Sequence, residues 1–171
     1  MEHLDTRSLH EGKHVDFVAK RYRRADGTEV EREIVDHPGS VAVLAYDEEF
    51  AYLVGQPREA VEEDRLLEIP AGTLDVEGES ELECAQRELA EEAELRAEVW
   101  NLLHVVYPSP GFLTEKVTIF AATGLSPAGG ERDDDEAIEI VRLPVAEIEE
   151  ALPEIRDATT VIALLRLKEK L

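Results

Sequence analysis

Four glutamates gather around one arginine between residues 79 and 92: Glu79, then Arg87-Glu88-Leu89-Ala90-Glu91-Glu92. At about 100° per residue of helix, Glu88 and Glu92 fall on one face a turn apart, with Glu91 flanking them. Like charges at that spacing cost about 0.2–0.5 kcal/mol per pair, so a helix that needed only solubility would alternate its signs. Clustered carboxylate oxygens suit hard divalent cations such as Mg²⁺, which is held by a few carboxylates together with substrate phosphate oxygens. The pattern therefore predicts metal-dependent phosphate chemistry. Arg87 lies four residues before Glu91, so it can pair with Glu91, or with Glu79 across the loop; it is read as orienting carboxylates without touching substrate. Ahead of the helix, Pro70-Ala71-Gly72 ends a strand. Gly72 lets backbone approach a ligand closely, and a backbone carbonyl there can complete a metal shell.

The elements that must position these groups are legible from patterning. Residues 80–93 form the best helix. Ser80 and Glu83 spell a capping box, and Leu82, Ala85, Leu89 and Ala93 repeat at helical spacing as a core stripe. Residues 15–23 and 28–35 read as partner strands around Ala25-Asp26-Gly27, where Asp-Gly signals a tight turn. Further strands are expected over 40–46, 50–54, 65–69 (ending at Pro70), 99–106, 116–123 and 138–143. Helices are expected over 144–152 and 157–171, separated by Pro153, with Asp157 as N-cap of the second. Strands on both sides of a central helix, and more helix at the end, predict an α+β fold built as a mixed α/β/α sandwich. We divide the chain into an N-terminal antiparallel strand region, residues 1–38, and a main domain, residues 39–171.

Forty acidic against eighteen basic residues give a net charge of −22. Such a surface repels nucleic-acid backbones and anionic membranes. No apolar run approaches the roughly 20 residues that span a bilayer, and the polar start lacks a signal-peptide core, so a cytoplasmic protein is expected. The first dozen residues are read as the ragged start of the chain, where order is least expected. His10-Glu11-Gly12-Lys13-His14 spells H-E-x-x-H, a zinc motif only on a helix; Gly12 and the missing apolar stripe make it a coincidence. The lone Cys84 can neither staple the fold nor share a structural zinc site of the usual type, which leaves it a packing or surface role.

The segment Glu79-x7-Arg87-Glu88-Leu89-x-Glu91-Glu92, with Leu95 at its last aliphatic position, resembles the Nudix box, G-x5-E-x7-R-E-U-x-E-E-x-G-U, where U is bulky and aliphatic. Two departures stand out: six residues rather than five separate Gly72 from Glu79, and Glu94 replaces the glycine after the helix, where an αL cap favours glycine. Leu67-Glu68-Ile69-Pro70-Ala71-Gly72 is similar to the approach strand and loop of the ADP-ribose pyrophosphatase subgroup. That subgroup carries a proline sixteen residues after the box glycine, and the same count from Glu94 reaches Pro110. Glu115, Arg32-Glu33, His37-Pro38-Gly39, Gln56, Arg58 and the terminal Asp157-Ala158 extend the likeness to roughly residues 12–171. The family often has arginine where Gly55 stands; here its contact would be lost, or supplied by a residue such as Arg58 or Arg65.

The resemblance implies a Nudix fold and hydrolysis of a nucleoside diphosphate derivative, foremost ADP-ribose, to AMP and ribose 5-phosphate. It implies two or three Mg²⁺ or Mn²⁺ ions held by Glu88, Glu92, Glu91 and the Ala71 carbonyl. The general base falls in the late acidic loop, at Glu136, with Glu91 as the competitor. Arg32, Arg58, Glu115, Gly111 and Phe17, with Tyr22 as a further aromatic, are implied near substrate. The same resemblance implies a homodimer completed through the N-terminal strands. Other Nudix substrates, such as sugar nucleotides and dinucleoside polyphosphates, form the first alternative. A non-catalytic nucleotide sensor is the second, disfavoured by the intact Glu79, Glu88, Glu91 and Glu92.

Overall fold

The computed structural model describes residues 1–13, 15–129 and 138–169. The chain divides into two compact units, Met1–Gly39 with Tyr107–Lys116, and Ser40–Val106 with Val117–Leu171. The segment Tyr107–Lys116 thus belongs with the N-terminal strands, although sequence reading placed it in the main domain.

The first unit is a three-stranded antiparallel sheet, β1 (Glu2–Glu11), β2 (Asp16–Arg23) and β3 (Glu29–Asp36), in that order. The β2–β3 hairpin closes as the sequence requires. The Gly27 amide donates to the Arg24 carbonyl, and Gly27 takes φ 84°, a backbone region that glycine enters freely. The expectation of a disordered start is corrected, because residues 2–11 form β1. This strand is exposed along nearly its whole length, so it carries no hydrophobic periodicity. It is fixed instead by its ladder to β2 and by cross-strand ion pairs, Asp5 with Arg21 and Glu2 with Arg23. His10 and Glu11 sit in this strand and not on a helix, whereas His14 lies outside the described residues. Tyr107–Lys116 is tied in by Val35 N–H on the Phe112 carbonyl and by Thr114, whose Oγ1 accepts from the His37 amide.

The second unit is a mixed sheet of seven strands. Its main order is β10 (Glu139–Pro144), β5 (Phe50–Arg58), β4 (Ser40–Tyr46), β9 (Val117–Pro127), β8 (Leu95–Val106), with β4 and β9 parallel. β4 and β5 pair only at Ala45↔Tyr52 and Tyr46↔Ala51. The edges they leave open are taken by β6 (Glu63–Glu68) on β5 and β7 (Ala71–Thr73) on β4. Ile69 and Pro70 bridge those two short strands, and the Pro70 carbonyl accepts from the Val43 amide at 2.8 Å. The Pro-Ala-Gly loop is thereby built into the sheet.

Alternate residues of β4 face opposite layers. Val41, Val43 and Ala45 pack with Cys84, Ala85, Leu89 and Ala93 of α1 (Glu81–Ala93). Ala42 and Leu44 pack with Ile148 of α2 (Ile148–Ala151) and with Ala163, Leu164 and Leu167 of α3 (Ala158–Lys168). This is the α/β/α sandwich. Two helix expectations need correction. Leu82 is 38% exposed and not in the core stripe. Its angle lies within the buried arc and it sits in the first turn of α1, so its angle alone does not bury it. Residues 144–152 form no continuous helix: the single turn α2 is flanked by 3₁₀ turns at Val145–Glu147 and Leu152–Glu154, the latter holding Pro153. Strand β8 also starts four residues earlier than expected, at Leu95.

Candidate active site

The chemistry-bearing helix α1 starts where its capping box says it should. Ser80 Oγ accepts from the Glu83 amide, and the Glu83 carboxylate accepts from the Ser80 amide at 2.9 Å. Counting 100° per residue from Ala85 puts Leu89 and Ala93 within the buried arc, and Glu92 falls between them and Cys84. Glu92 is accordingly 7% exposed, a carboxylate set into the helix face that packs on the sheet. Glu88 falls inside the same arc, between Cys84 and Glu92, its side chain 12% exposed. Glu91 is more than half exposed.

Arg87 ties this cluster together. Its Nε and Nη2 donate to the two oxygens of Glu79 at 3.0 and 3.1 Å, and its Nη1 donates to Glu88 Oε1 at 2.6 Å and Glu91 Oε2 at 3.0 Å. The sequence left Glu79 and Glu91 as alternatives; the guanidinium reaches both. These bonds, Glu79 first, raise the Arg87 pKa further above its ordinary value, and Arg87 in turn holds the Glu79 carboxyl below the usual range. Beneath Arg87 lies Cys84, fully buried, its thiol donating to the Thr73 carbonyl at 3.6 Å and pushed up to about 12 by burial. It is a packing residue with little thiolate character.

The loop meets the helix at two points. The Ala71 amide donates to Glu92 Oε2 at 2.9 Å. A Cβ built on Gly72 would stand 1.9 Å from Glu88 Oε1 and 2.0 Å from its carboxyl carbon. Gly72 is therefore the residue that makes room for Glu88, a role sequence reading did not assign to it. The loop is also clamped from the other side. Thr160, fully buried in the first turn of α3, accepts from the Ile69 amide at 2.8 Å, and its hydroxyl donates to the N-cap Asp157 at 2.7 Å. The helix closes with Glu94 in the left-handed region, φ 57°, its carbonyl accepting from the Ala128 amide. The glycine departure thus resolves as an αL cap made by a residue that resists it.

This structure brings Ala71, Gly72, Glu79, Arg87, Glu88, Glu91 and Glu92 together. Arg58 belongs to the same unit, on β5, where Nε and Nη2 donate to the two oxygens of Glu68 at 2.8 and 2.6 Å. Phe17, Arg32, Gly111 and Glu115 belong to the other unit. There Phe17 is partly exposed on β2, Tyr22 stacks obliquely on His3, and Arg32 Nη1 donates to the Glu31 carbonyl. Glu136 lies outside the described residues. Sequence reading missed Glu68 and Thr160; Thr160 stood out as a polar residue in the apolar pattern of α3, whereas Glu68 ends a strand that is itself mostly charged and carried no such signal.

The donor set around Glu88 and Glu92 is hard oxygen throughout, two sheltered carboxylates and a backbone loop, which fits Mg²⁺ or Mn²⁺. Among the described residues, no three His, Cys, Asp or Glu side chains converge as a ready cation cage; sites of this kind complete their shell with water and substrate phosphate. Among the described residues, no helix is long and apolar enough to cross a membrane.

Comparison with known proteins agrees with this geometry. A family profile described as the NUDIX domain matches residues 36–164. The chain is 39% identical over 170 residues to an ADP-ribose pyrophosphatase of Bacillus subtilis, covering 94% of this chain and 89% of that one. It is 35% identical over 175 residues to a methanol dehydrogenase activator of Bacillus methanolicus, covering 98% and 94%. A GDP-mannose pyrophosphatase of Cronobacter sakazakii is 34% identical over 160 residues, covering 85% and 82%. The fold matches a crystal structure of an ADP compounds hydrolase with a TM-score of 0.83 at 24% identity, covering 99% of this chain and 92% of that one. A Nudix box helix, its glycine loop and a profile spanning most of the sequence together place this chain in the Nudix family.

Proposed function

We propose that the protein is a divalent-metal-dependent pyrophosphohydrolase that cleaves the diphosphate of ADP-ribose to AMP and ribose 5-phosphate. The observation that carries this is the pair Glu88 and Glu92, sheltered on one face of α1 against the Ala71-Gly72 loop and framed by Arg87. Carboxylate oxygens grouped on one face beside a backbone loop suit a hard divalent cation, which completes its shell with substrate phosphate. Relatives named ADP-ribose pyrophosphatase, alike over nearly the whole chain, support the choice of substrate.

Glu88, Glu92, Glu91 and the Ala71 carbonyl would hold two or three Mg²⁺ or Mn²⁺ ions. Bound there, the cations supply charge neutralisation for the diphosphate and acidify the attacking water. Arg87 keeps the carboxylates in register and leaves the substrate to other groups. Glu136 accepts the proton as water attacks one phosphorus in line and the bond to the bridging oxygen breaks; Glu91 is the competing base. Arg58, Arg32, Glu115, Gly111 and Phe17 bind the substrate, and the N-terminal strands carry a homodimer contact in a cytoplasmic enzyme. A second reading, cleavage of sugar nucleotides, rests on the relatives named GDP-mannose pyrophosphatase, 34% identical or less.

The test is a panel of ADP-ribose, GDP-mannose, other sugar nucleotides and dinucleoside polyphosphates, each incubated with Mg²⁺ and with chelator, and the products separated. AMP and ribose 5-phosphate formed only with metal, faster than any other conversion, is the expected result. Preference for GDP-mannose would replace the substrate, and tight ADP-ribose binding without turnover would make the protein a sensor.

A further inference from the structure

Glu68 ends β6 only 7% exposed, opposite Val54 of β5. An ionised carboxylate at that depth is strongly unfavourable unless it is paired and hydrogen-bonded. It is paired by a fork: Arg58 Nε on Oε1 and Arg58 Nη2 on Oε2, with Gln56 Nε2 a weaker third donor at 3.3 Å. β5 shifts register between Gln56 and Arg58, and a bulge of this kind re-aims the side chain that follows it. The guanidinium is thus gripped along one edge by a buried carboxylate. Its other edge is free to donate, since Nη1 has no partner among the described residues, and the side chain is 43% exposed. Beyond Glu68, the carboxylates it senses are Glu92 and Asp157.

The neighbouring arginine behaves differently. Arg65 lies across Gly55, where an added Cβ would meet its Nε at 3.1 Å, and it ends on Glu139 at 2.6 Å. Both partners of that pair are about half exposed, so water and salt loosen it. A pre-formed anion contact needs a cation whose geometry is fixed before substrate arrives, and of these two arginines only Arg58 has a buried anchor.

We propose that Glu68 is a positioning residue: it holds the Arg58 guanidinium open toward the substrate diphosphate, while Arg65 takes no part in binding. The proposal rests on the diphosphate-hydrolase reading above.

The test is steady-state hydrolysis of ADP-ribose at saturating Mg²⁺ by Glu68→Gln, Arg58→Ala, Arg58→Lys, Arg65→Ala and the Glu68→Gln/Arg58→Ala double variant, with thermal midpoints measured alongside. Loss of a charge-assisted fork corresponds to about tenfold or more. Glu68→Gln is expected to raise KM about tenfold with kcat within about threefold. Arg58→Ala should raise KM at least as much, and the double variant no further than Arg58→Ala alone, as coupled residues require. Arg58→Lys keeps Glu68 paired but lacks the fork; it should show the same KM rise even if Glu68→Gln does not fold. Arg65→Ala should leave KM within twofold. Unchanged KM in Glu68→Gln or Arg58→Lys, independent multiplication of the two effects, or a lowered thermal midpoint with KM unmoved would overturn the positioning role while leaving the hydrolase reading intact. No hydrolysis by the unmutated protein would instead overturn the functional reading, and this proposal with it.

Discussion

Replacing Gly72 by alanine is the most searching perturbation of the site, because it adds a single methyl group. That Cβ would stand 1.9 Å from Glu88 Oε1, 2.0 Å from its carboxyl carbon and 2.5 Å from its Cγ. Ordinary contact begins at 3.4 Å, so the carboxylate must retreat by about 1.5 Å, the difference of the two distances. Three successive side-chain atoms are overlapped, so a twist of the terminal carboxylate is not enough and the whole side chain must change rotamer. The move breaks the 2.6 Å bond from Arg87 and takes Glu88 away from the loop. Misplacement by about 1 Å can cost about 10²-fold in rate, equivalent to roughly 2.7 kcal/mol of transition-state stabilisation. Overpacking costs about 1–3 kcal/mol of stability, so the fold survives. The assay is kcat for ADP-ribose across a Mg²⁺ titration, with a thermal melt as control. A folded Gly72→Ala variant with kcat at least about 10²-fold lower and a raised Mg²⁺ requirement is expected. A folded variant within threefold of the parent in kcat would refute the claim that Gly72 exists to admit Glu88.

Glu94→Gly relieves a left-handed residue whose cost is about 1–2 kcal/mol; it should raise the thermal midpoint by about 2–4 °C per kcal/mol without changing kcat, and an unchanged or lower midpoint would contradict the strain argument. Glu136→Gln should cut kcat about 10²-fold or more if Glu136 is the base; a loss below a few-fold, with the larger loss in Glu91→Gln, would transfer the role to Glu91. Because Arg87 lowers the folded-state pKa of Glu79, their pairing stabilises the fold above the ordinary glutamate value of 4.5 and is lost as pH falls through the lowered one. The gap in thermal midpoint between the parent and Arg87→Ala should therefore be full at neutral pH and shrink in acid, and a gap independent of pH would show that Arg87 acts only through packing.

Much of this site was readable before any coordinates. The capping box sets the start of α1, and the glutamate spacing sets which carboxylates share a face, because both depend on residues a turn apart. The Asp26-Gly27 turn was equally local. What escaped depends on partners distant in sequence. β1 exists through cross-strand pairing and ion pairs with β2, so its own pattern is silent. Leu82 has the right angle on the helix yet stays 38% exposed, because burial also needs a packing partner that local spacing does not supply. The space over Gly72 is taken by a side chain sixteen residues later, a contact no local pattern encodes. Glu68 reads as one more acid among forty until the fold buries it against Arg58.

The proposed role of the α1 carboxylates is to hold the cation on which diphosphate cleavage depends. Its most direct test is Mn²⁺ binding, followed by electron paramagnetic resonance, in the parent and in Glu92→Gln, each paired with ADP-ribose hydrolysis. Glu92→Gln is nearly isosteric and can still accept from the Ala71 amide, so it removes charge while sparing packing. In the folded Glu92→Gln variant, Mn²⁺ binding should weaken and hydrolysis should fall together. Full hydrolysis with undiminished Mn²⁺ binding in Glu92→Gln would contradict it.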